Sequence, residues 1–248
     1  VAGGGEQAAE AKRLRAEVRQ AAQDRAFSLT YQPRRCLSTQ ALAGAEAQLR
    51  WDARRGGVVA GACLMQLLDE TGQSIPVMTW ALAEACRTAA GWDAGQVSVS
   101  LPGGMLHNGG LLTAVGRALA ASGLPAERLE IAVPEAALAG DDEDMLFAVA
   151  SLRDRGVDVA LDEFGSTSGS LLVLKRLPLT KLKLDRSLVR DLPGDRDAGA
   201  VVVAATDFAH AVDVTVVACG VESEAQLGFL TRAGCDQAQG AVYGRSKG

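Results

Sequence analysis

LDEFGSTSGSLLVLKRLPLTKLKLD, Leu161 to Asp185, contains two apolar runs that each end in charge. Val157, Val159 and Leu161 lead into the adjacent carboxylates Asp162 and Glu163, while Leu182 and Leu184 flank Lys183 and stop at Asp185. A Val/Leu run that meets acids at its end reads as a buried strand whose C-terminal end opens onto a site. Working outward, further strands are expected at Val97 to Leu101, Leu129 to Val133, Leu179 to Leu184 and Val214 to Ala218, with a last short one near Gly240 to Tyr243. Helical spacing fills the intervals: Pro76 to Ala90, Gly110 to Ser122, Asp142 to Gly156, Ser168 to Arg176, Ala198 to Ala211 and Ser223 to Ala233. Strand and helix alternating at this period imply a mostly parallel sheet, and about eight strands in a chain of this length suit a closed (β/α)8, TIM-like barrel. A doubly wound open sheet is the alternative.

The N-terminal third departs from that rhythm. Residues 1–25 read as a lead-in helix or linker, with Leu14, Val18 and Ala21 or Ala22 at helical spacing, and residues 26–248 as the barrel domain. AFSLTYQPR alternates Phe27, Leu29 and Tyr31 against polar residues, and AGAEAQLRW follows a short turn, which predicts a hairpin-like pair at the start of the barrel. The chain opens with Val1, so it is expected to be a fragment of a longer protein.

The net charge of -5 argues against a nucleic-acid surface, which needs concentrated Lys and Arg. On this reading Arg34-Arg35 and Arg54-Arg55 are solvated loop ends. Five scattered cysteines and two histidines suggest neither a zinc cluster nor a disulfide framework, and they point to a reduced, cytoplasmic setting. No apolar run reaches the roughly 18 residues that span a bilayer. His107 and His210 have no motif around them, and Cys219 reads as a buried, inert thiol.

In a barrel of this kind the chemistry belongs at the C-terminal ends of the strands. There the chain places Glu46, Ser100, Ala132, Asp162, Glu163, Lys183, Asp185, Cys219 and Gln239. Tyr31-Gln32-Pro33, EAQLRW (Glu46 to Trp51), LDEFG (Leu161 to Gly165), KRLPLTKLKLDRSLV (Lys175 to Val189), CGVES (Cys219 to Ser223) and GCDQAQG (Gly234 to Gly240) together resemble the EAL domain, the bacterial cyclic di-GMP phosphodiesterase family, from about Phe27 to Gly244. The resemblance implies an EAL-type barrel whose irregular first strand runs antiparallel to the rest. It also implies a site in which divalent cations activate a water and polarise a phosphoryl oxygen.

By that resemblance Glu46, Asp162 and Glu163 stand at metal-binding acids and Lys183 at the lysine that contacts the attacking water. Gln32, Arg50, Asp185 and Gln239 stand at ligand-binding positions, with Glu135 and Glu222 as loop supports. Ser100, Ala132 and Cys219 fall where the family has an asparagine and two glutamates, and Gly165-Ser166-Thr167-Ser168 replaces its G-T-G-Y loop. A methyl cannot replace a lost oxygen donor, and a thiol replaces one poorly for a hard cation, so metal binding is expected to be weak or absent, with Mg2+ or Mn2+ needed only for residual activity.

Three readings follow. The chain is a catalytically silent cyclic di-GMP receptor that signals to an upstream GGDEF or sensor domain, a dimerisation or partner-binding scaffold without nucleotide, or a slow phosphodiesterase.

Overall fold

The computed structural model describes residues 3–53, 57–106, 110–138, 143–166 and 172–244. Its strands are β1 Phe27–Cys36, β2 Leu42–Ala53, β3 Gly57–Ala60, β4 Gln96–Ser100, β5 Leu129–Pro134, β6 Asp158–Phe164, β7 Lys181–Leu184, β8 Thr215–Ala218 and β9 Gln237–Gln239. Its helices are α1 Gly3–Asp24, α2 Gly61–Glu70, α3 Ser74–Ala90, α4 Gly110–Ser122, α5 Glu143–Asp154, α6 Leu172–Arg176, α7 Arg186–Val189, α8 Arg196–His210 and α9 Glu224–Arg232.

The sheet runs β1-β9-β8-β7-β6-β5-β4-β2, and the β1–β2 pairing closes it, so eight strands make a ring with β3 outside on the end of β2. Strand β1 is antiparallel to both neighbours, with Gln32 opposite Glu46 and Arg34 opposite Gln239. From β2 through β4 and on to β9 the ring is parallel. The expected hairpin-like start and antiparallel first strand are both present.

Period-2 alternation divides each parallel strand into two faces. Val97, Val99, Ile131, Val133, Val159, Leu161, Leu182, Leu184 and Val216 are buried on the face that packs under the helices, in one core with Leu82, Val115, Val149 and Val202. The other face closes in on itself and is polar: Gln96, Ser98 and Ser100 on β4, Glu130 on β5, Asp158 and Asp162 on β6, Lys181 and Lys183 on β7, Gln239 on β9. The hydrophobic core therefore lies between barrel and helices, while the barrel lumen is lined with polar groups. Val18 and Ala21 of α1 are buried in the same core, and Arg15 pairs with Glu70 of α2 at 2.7 Å. Among the described residues no helix is long and apolar enough to cross a membrane.

Several expectations need correction. Residues Ala241–Tyr243 form a 3-10 turn, and the last strand is Gln237–Gln239. Gly240 sits at φ 156°, and a Cβ there would lie 2.1 Å from the Val221 carbonyl oxygen, so that backbone approach excludes a side chain and the chain turns out of the sheet. Arg34 is not a solvated loop end: it is 1% exposed, inside the lumen. Arg54, Arg55, His107, Asp142, Thr167, Ser168 and Leu171 lie outside the described residues. Helix α2 has no counterpart among the expected elements; its N-cap is Ala60, which supplies no side-chain bond, so the usual start signal is missing.

Candidate functional site

The lumen holds two charged layers. In the upper one, at the C-terminal strand ends, Lys183 Nζ donates to Glu46 Oε2 at 2.5 Å and to Asp162 Oδ2 at 3.1 Å. Gln239 Nε2 donates to the same Glu46 oxygen at 2.8 Å, and Ser100 Oγ to the same Asp162 oxygen at 2.5 Å. Five strands thus contribute to a ring centred on one ammonium that is 1% exposed. Strand alternation turns Lys183 inward and the barrel closes around it.

The layer beneath was not anticipated from the sequence. Arg34 Nη1 meets Glu130 Oε1 at 2.8 Å, Lys181 Nζ meets Glu130 Oε2 and Asp158 Oδ2 at 2.8 Å each, and Arg153 Nη1 meets Asp158 Oδ1 at 2.7 Å. Gln96 joins it, accepting from Lys181 and donating to Asp158, both at 2.8 Å. The available signal was polar residues two apart in QVSVS and KLKLD, and four apart in DVALD.

These pairings set the protonation states. Burial alone would raise the Glu46 carboxyl, but Lys183, Gln239 and Arg34 together hold it below its ordinary value. Burial would likewise lower Lys183, yet Asp162 and Glu46 hold it well above the usual lysine range. Glu130 is buried too, and Arg34 and Lys181 outweigh that burial and keep it far down; Asp158 is lowered in the same way, chiefly by Lys181. Cys219 is half-buried on the cavity wall and not fully buried as expected; its desolvation still pushes the thiol far up, so it is neutral.

A depressed carboxyl binds fewer protons in the native state than in the unfolded chain, so its contribution is complete above the unfolded value near 4.3 for glutamate and drains away as pH falls toward the folded value. Glu163 works in the opposite sense: burial, then Asp162 and Asp185, raise it, and the native state loses stability as it ionises. It is solvent-exposed, so the buried acids dominate. The urea midpoint should therefore fall steeply as pH drops from about 5 to about 3, and a flat midpoint over that window would contradict the network.

The paired acids do not act as a pair here. The β6–β7 register breaks between Leu161 and Phe164, and Glu163 takes φ 58°. Such a bulge re-aims a side chain. Asp162 points into the lumen while Glu163 is left exposed at the rim, its N–H donating to Asp162 Oδ1 at 3.0 Å. Gly165 follows at φ 89°, where an added Cβ would sit 2.4 Å from Leu188 Cδ1; the tight return onto α7 requires glycine.

Above the ring opens a cavity of about 970 Å³. Of the residues named from the sequence, Gln32, Glu46, Ser100, Asp162, Glu163, Asp185, Cys219 and Gln239 line it. Gln32 donates to Gly240 O at 3.0 Å and Gly244 O at 3.2 Å, which ties β1 to the last turn. Asp185 also caps α7, accepting from Ser187 N–H at 2.8 Å. Arg50 is not part of the lining; its Nε donates to Thr30 Oγ1 at 3.0 Å across β1 and β2. Ala132 is fully buried in β5, and Glu135 is buried in the turn after it.

The Glu222 side chain is exposed, and the loop is held by a residue the sequence reading passed over. Gln226 accepts from the Glu222 and Ser223 N–H groups at 2.7 and 3.0 Å and donates to the Val189 and Arg190 carbonyls at 3.1 and 2.9 Å. Its glutamine at the third position of a capping box was the legible clue. From α2, also unanticipated, Met65, Gln66, Asp69 and Glu70 form one wall.

Magnesium takes about six oxygen ligands in near-octahedral geometry, and manganese favours the same donors. Here the inward oxygens of Glu46 and Asp162 are each already engaged by two donors of the chain, and β5 and β8 offer a methyl and a neutral thiol. Among the described residues no three His, Cys, Asp or Glu side chains form a group suited to a metal ion. This donor set does not fit a divalent pair.

The fold has close counterparts. The chain is 35% identical over 234 residues to the bifunctional diguanylate cyclase/cyclic di-GMP phosphodiesterase MucR of Pseudomonas aeruginosa, an overlap of 92% of this chain and 34% of that protein. It is 33% identical over 234 residues to the cyclic di-GMP phosphodiesterase NbdA of the same organism, covering 92% of this chain and 30% of NbdA. It therefore spans about a third of the length of these curated relatives. The solved structure of the PaMucR phosphodiesterase in its c-di-GMP complex matches with a TM-score of 0.89 at 34% identity, over 94% of this chain and 97% of that one. The EAL domain model matches residues 15–246, nearly the whole barrel and part of its lead-in helix, and the chain belongs to the EAL domain family.

Proposed function

We propose that this chain takes part in cyclic di-GMP signalling as a receptor, binding the dinucleotide at the barrel mouth without hydrolysing it and without a resident Mg2+ or Mn2+. The observation that carries this reading is the ring itself: Lys183 lies between Glu46 and Asp162, and neither Ala132 nor Cys219 brings a carboxylate. A mouth of about 970 Å³ is roomy enough for a dinucleotide, and Asp185 on its wall offers a carboxylate to a guanine edge, with Gln32 beside it tied to the Gly240 and Gly244 carbonyls. A cytoplasmic receptor of this kind would report to an upstream module such as a GGDEF or sensor domain, alone or as a homodimer.

A second reading has its own support. Among the described residues, Glu46, Asp69, Glu70, Asp162, Glu163 and Asp185 line the mouth against a single lining arginine, Arg186. A dianion meets like charge there, which favours a scaffold that binds no nucleotide.

Calorimetric titration with cyclic di-GMP, with excess Mn2+ and with chelator, separates the readings when the recovered nucleotide is assayed for linear product. The receptor gives the same binding in both buffers and intact ligand. Absence of heat in both leaves the scaffold, and cleavage with Mn2+ overturns both readings in favour of a phosphodiesterase.

A further inference from the structure

We infer that Gln226 is a positioning residue of the barrel mouth: it joins the loop after β8 to helix α7 and so fixes the wall on which Asp185 and Arg186 line the cavity. Four hydrogen bonds carry this. The Gln226 side chain is 5% exposed; its oxygen accepts from the Glu222 and Ser223 N–H groups at 2.7 and 3.0 Å, and its amide nitrogen donates to the Val189 and Arg190 carbonyls at 3.1 and 2.9 Å. A primary amide has two N–H donors and an oxygen with two lone pairs, so the whole capacity of the group is used, half on each segment.

The choice of side chain tells which half is selective. Capping the start of α9 asks only for an acceptor three residues after Ser223, and glutamate serves a capping box as well as glutamine does. Two backbone carbonyls of another segment need a donor, which an ionised carboxylate is not. The second requirement selects the amide. Those carbonyls lie at the end of α7, a single turn of helix too short to hold its own position. Asp185 is the N-cap of that turn, and Asp185, Arg186, Cys219 and Gly220 all line the mouth. The two walls also meet directly, because Arg186 packs so closely on Gly220 that a Cβ there would sit 2.6 Å from Arg186 Cβ. Gln226 does not itself line the mouth, so it acts on a ligand only through this wall.

The inference rests on the mouth being the ligand site of the receptor reading, but amide hydrogen exchange tests it without nucleotide. Exchange is followed by mass spectrometry across residues 185–192 and 222–232 in the purified chain and in its Gln226→Glu and Ser223→Ala variants. Gln226→Glu keeps an acceptor for the Glu222 and Ser223 N–H groups and loses both bonds to α7. It should speed exchange of the Leu188, Arg190 and Leu192 amides, which donate to the Asp185, Arg186 and Val189 carbonyls, by about 10-fold or more, and leave α9 protected. Ser223→Ala removes the other half of the capping box and leaves the bridge intact. It should loosen the first turn of α9 and not α7, which keeps the comparison available if Gln226→Glu is too unstable to purify.

Cyclic di-GMP should bind Gln226→Glu about 10-fold more weakly than the wild-type chain, and Ser223→Ala with wild-type affinity. Absence of binding by the wild-type chain overturns the receptor reading, and the exchange comparison then decides the inference alone. Unchanged α7 exchange in Gln226→Glu would overturn the inference. So would equal acceleration of α7 and α9 in either variant, the mark of a general loss of stability and not of a bridge.

Discussion

Replacing Glu130 with alanine should cost about 3–5 kcal/mol of stability, the largest single effect expected anywhere in this chain. Glu130 is fully buried and stands between Arg34 and Lys181, themselves 1% and 5% exposed. Truncation removes the charge that both cations were buried against, and neither can reach water to recover its hydration. The position and not the volume carries the penalty, so Glu130→Gln, nearly isosteric, should be almost as harmful. Replacing Arg34, Glu130 and Lys181 together by apolar residues of similar size should recover much of the loss, since no charge of the lower layer is then left unpaired: Asp158 keeps Arg153. Urea denaturation of the four proteins decides it. A loss below about 1 kcal/mol in Glu130→Ala would mean that the lower layer is hydrated and not dry as described.

The second large effect is a gain. Placing glutamate at Ala132 and Cys219 and asparagine at Ser100 adds two carboxylates and an amide to the upper layer. The upper layer then gains two negative charges, which one divalent ion cancels. With Mn2+ present, hydrolysis of cyclic di-GMP should rise by at least about 100-fold, because a bound cation contributes several kcal/mol of transition-state stabilisation. The readout is linear product per chain per minute, with and without chelator. Variants that bind Mn2+ but stay silent would place the remaining defect in the bulge, where Glu163 points to the rim, and in the altered loop that begins at Gly165-Ser166.

Both experiments concern residues of which the sequence made only half legible. The Ser100, Ala132 and Cys219 departures could be seen because they sit at strand ends, where motif and position coincide. Glu130, Asp158, Lys181 and Arg34 could not, because nothing local separates a strand's solvent face from a lumen face. Arg34 looked like a loop end beside Arg35, and the two lysines of KLKLD were open to a reading as surface charge. Helix α2 was missed for a different reason: Gly61 at φ 58° and an alanine N-cap announce a turn and not a helix, and only Leu64 and Leu68, buried one turn apart, record its inward face.

Sequence alone determined the alternation of strands and helices, the antiparallel opening pair and the row of chemically potent residues at the strand ends, because each depends on spacing within about ten residues and on apolar burial. Tertiary structure alone decided which polar face becomes the lumen. The ring closes only when β1 pairs with both β2 and β9, joining residues such as Arg34 and Gln239 that are far apart in the chain. Until that closure is made, period-2 alternation says that one face is polar and cannot say whether water or a ring of opposite charges will meet it.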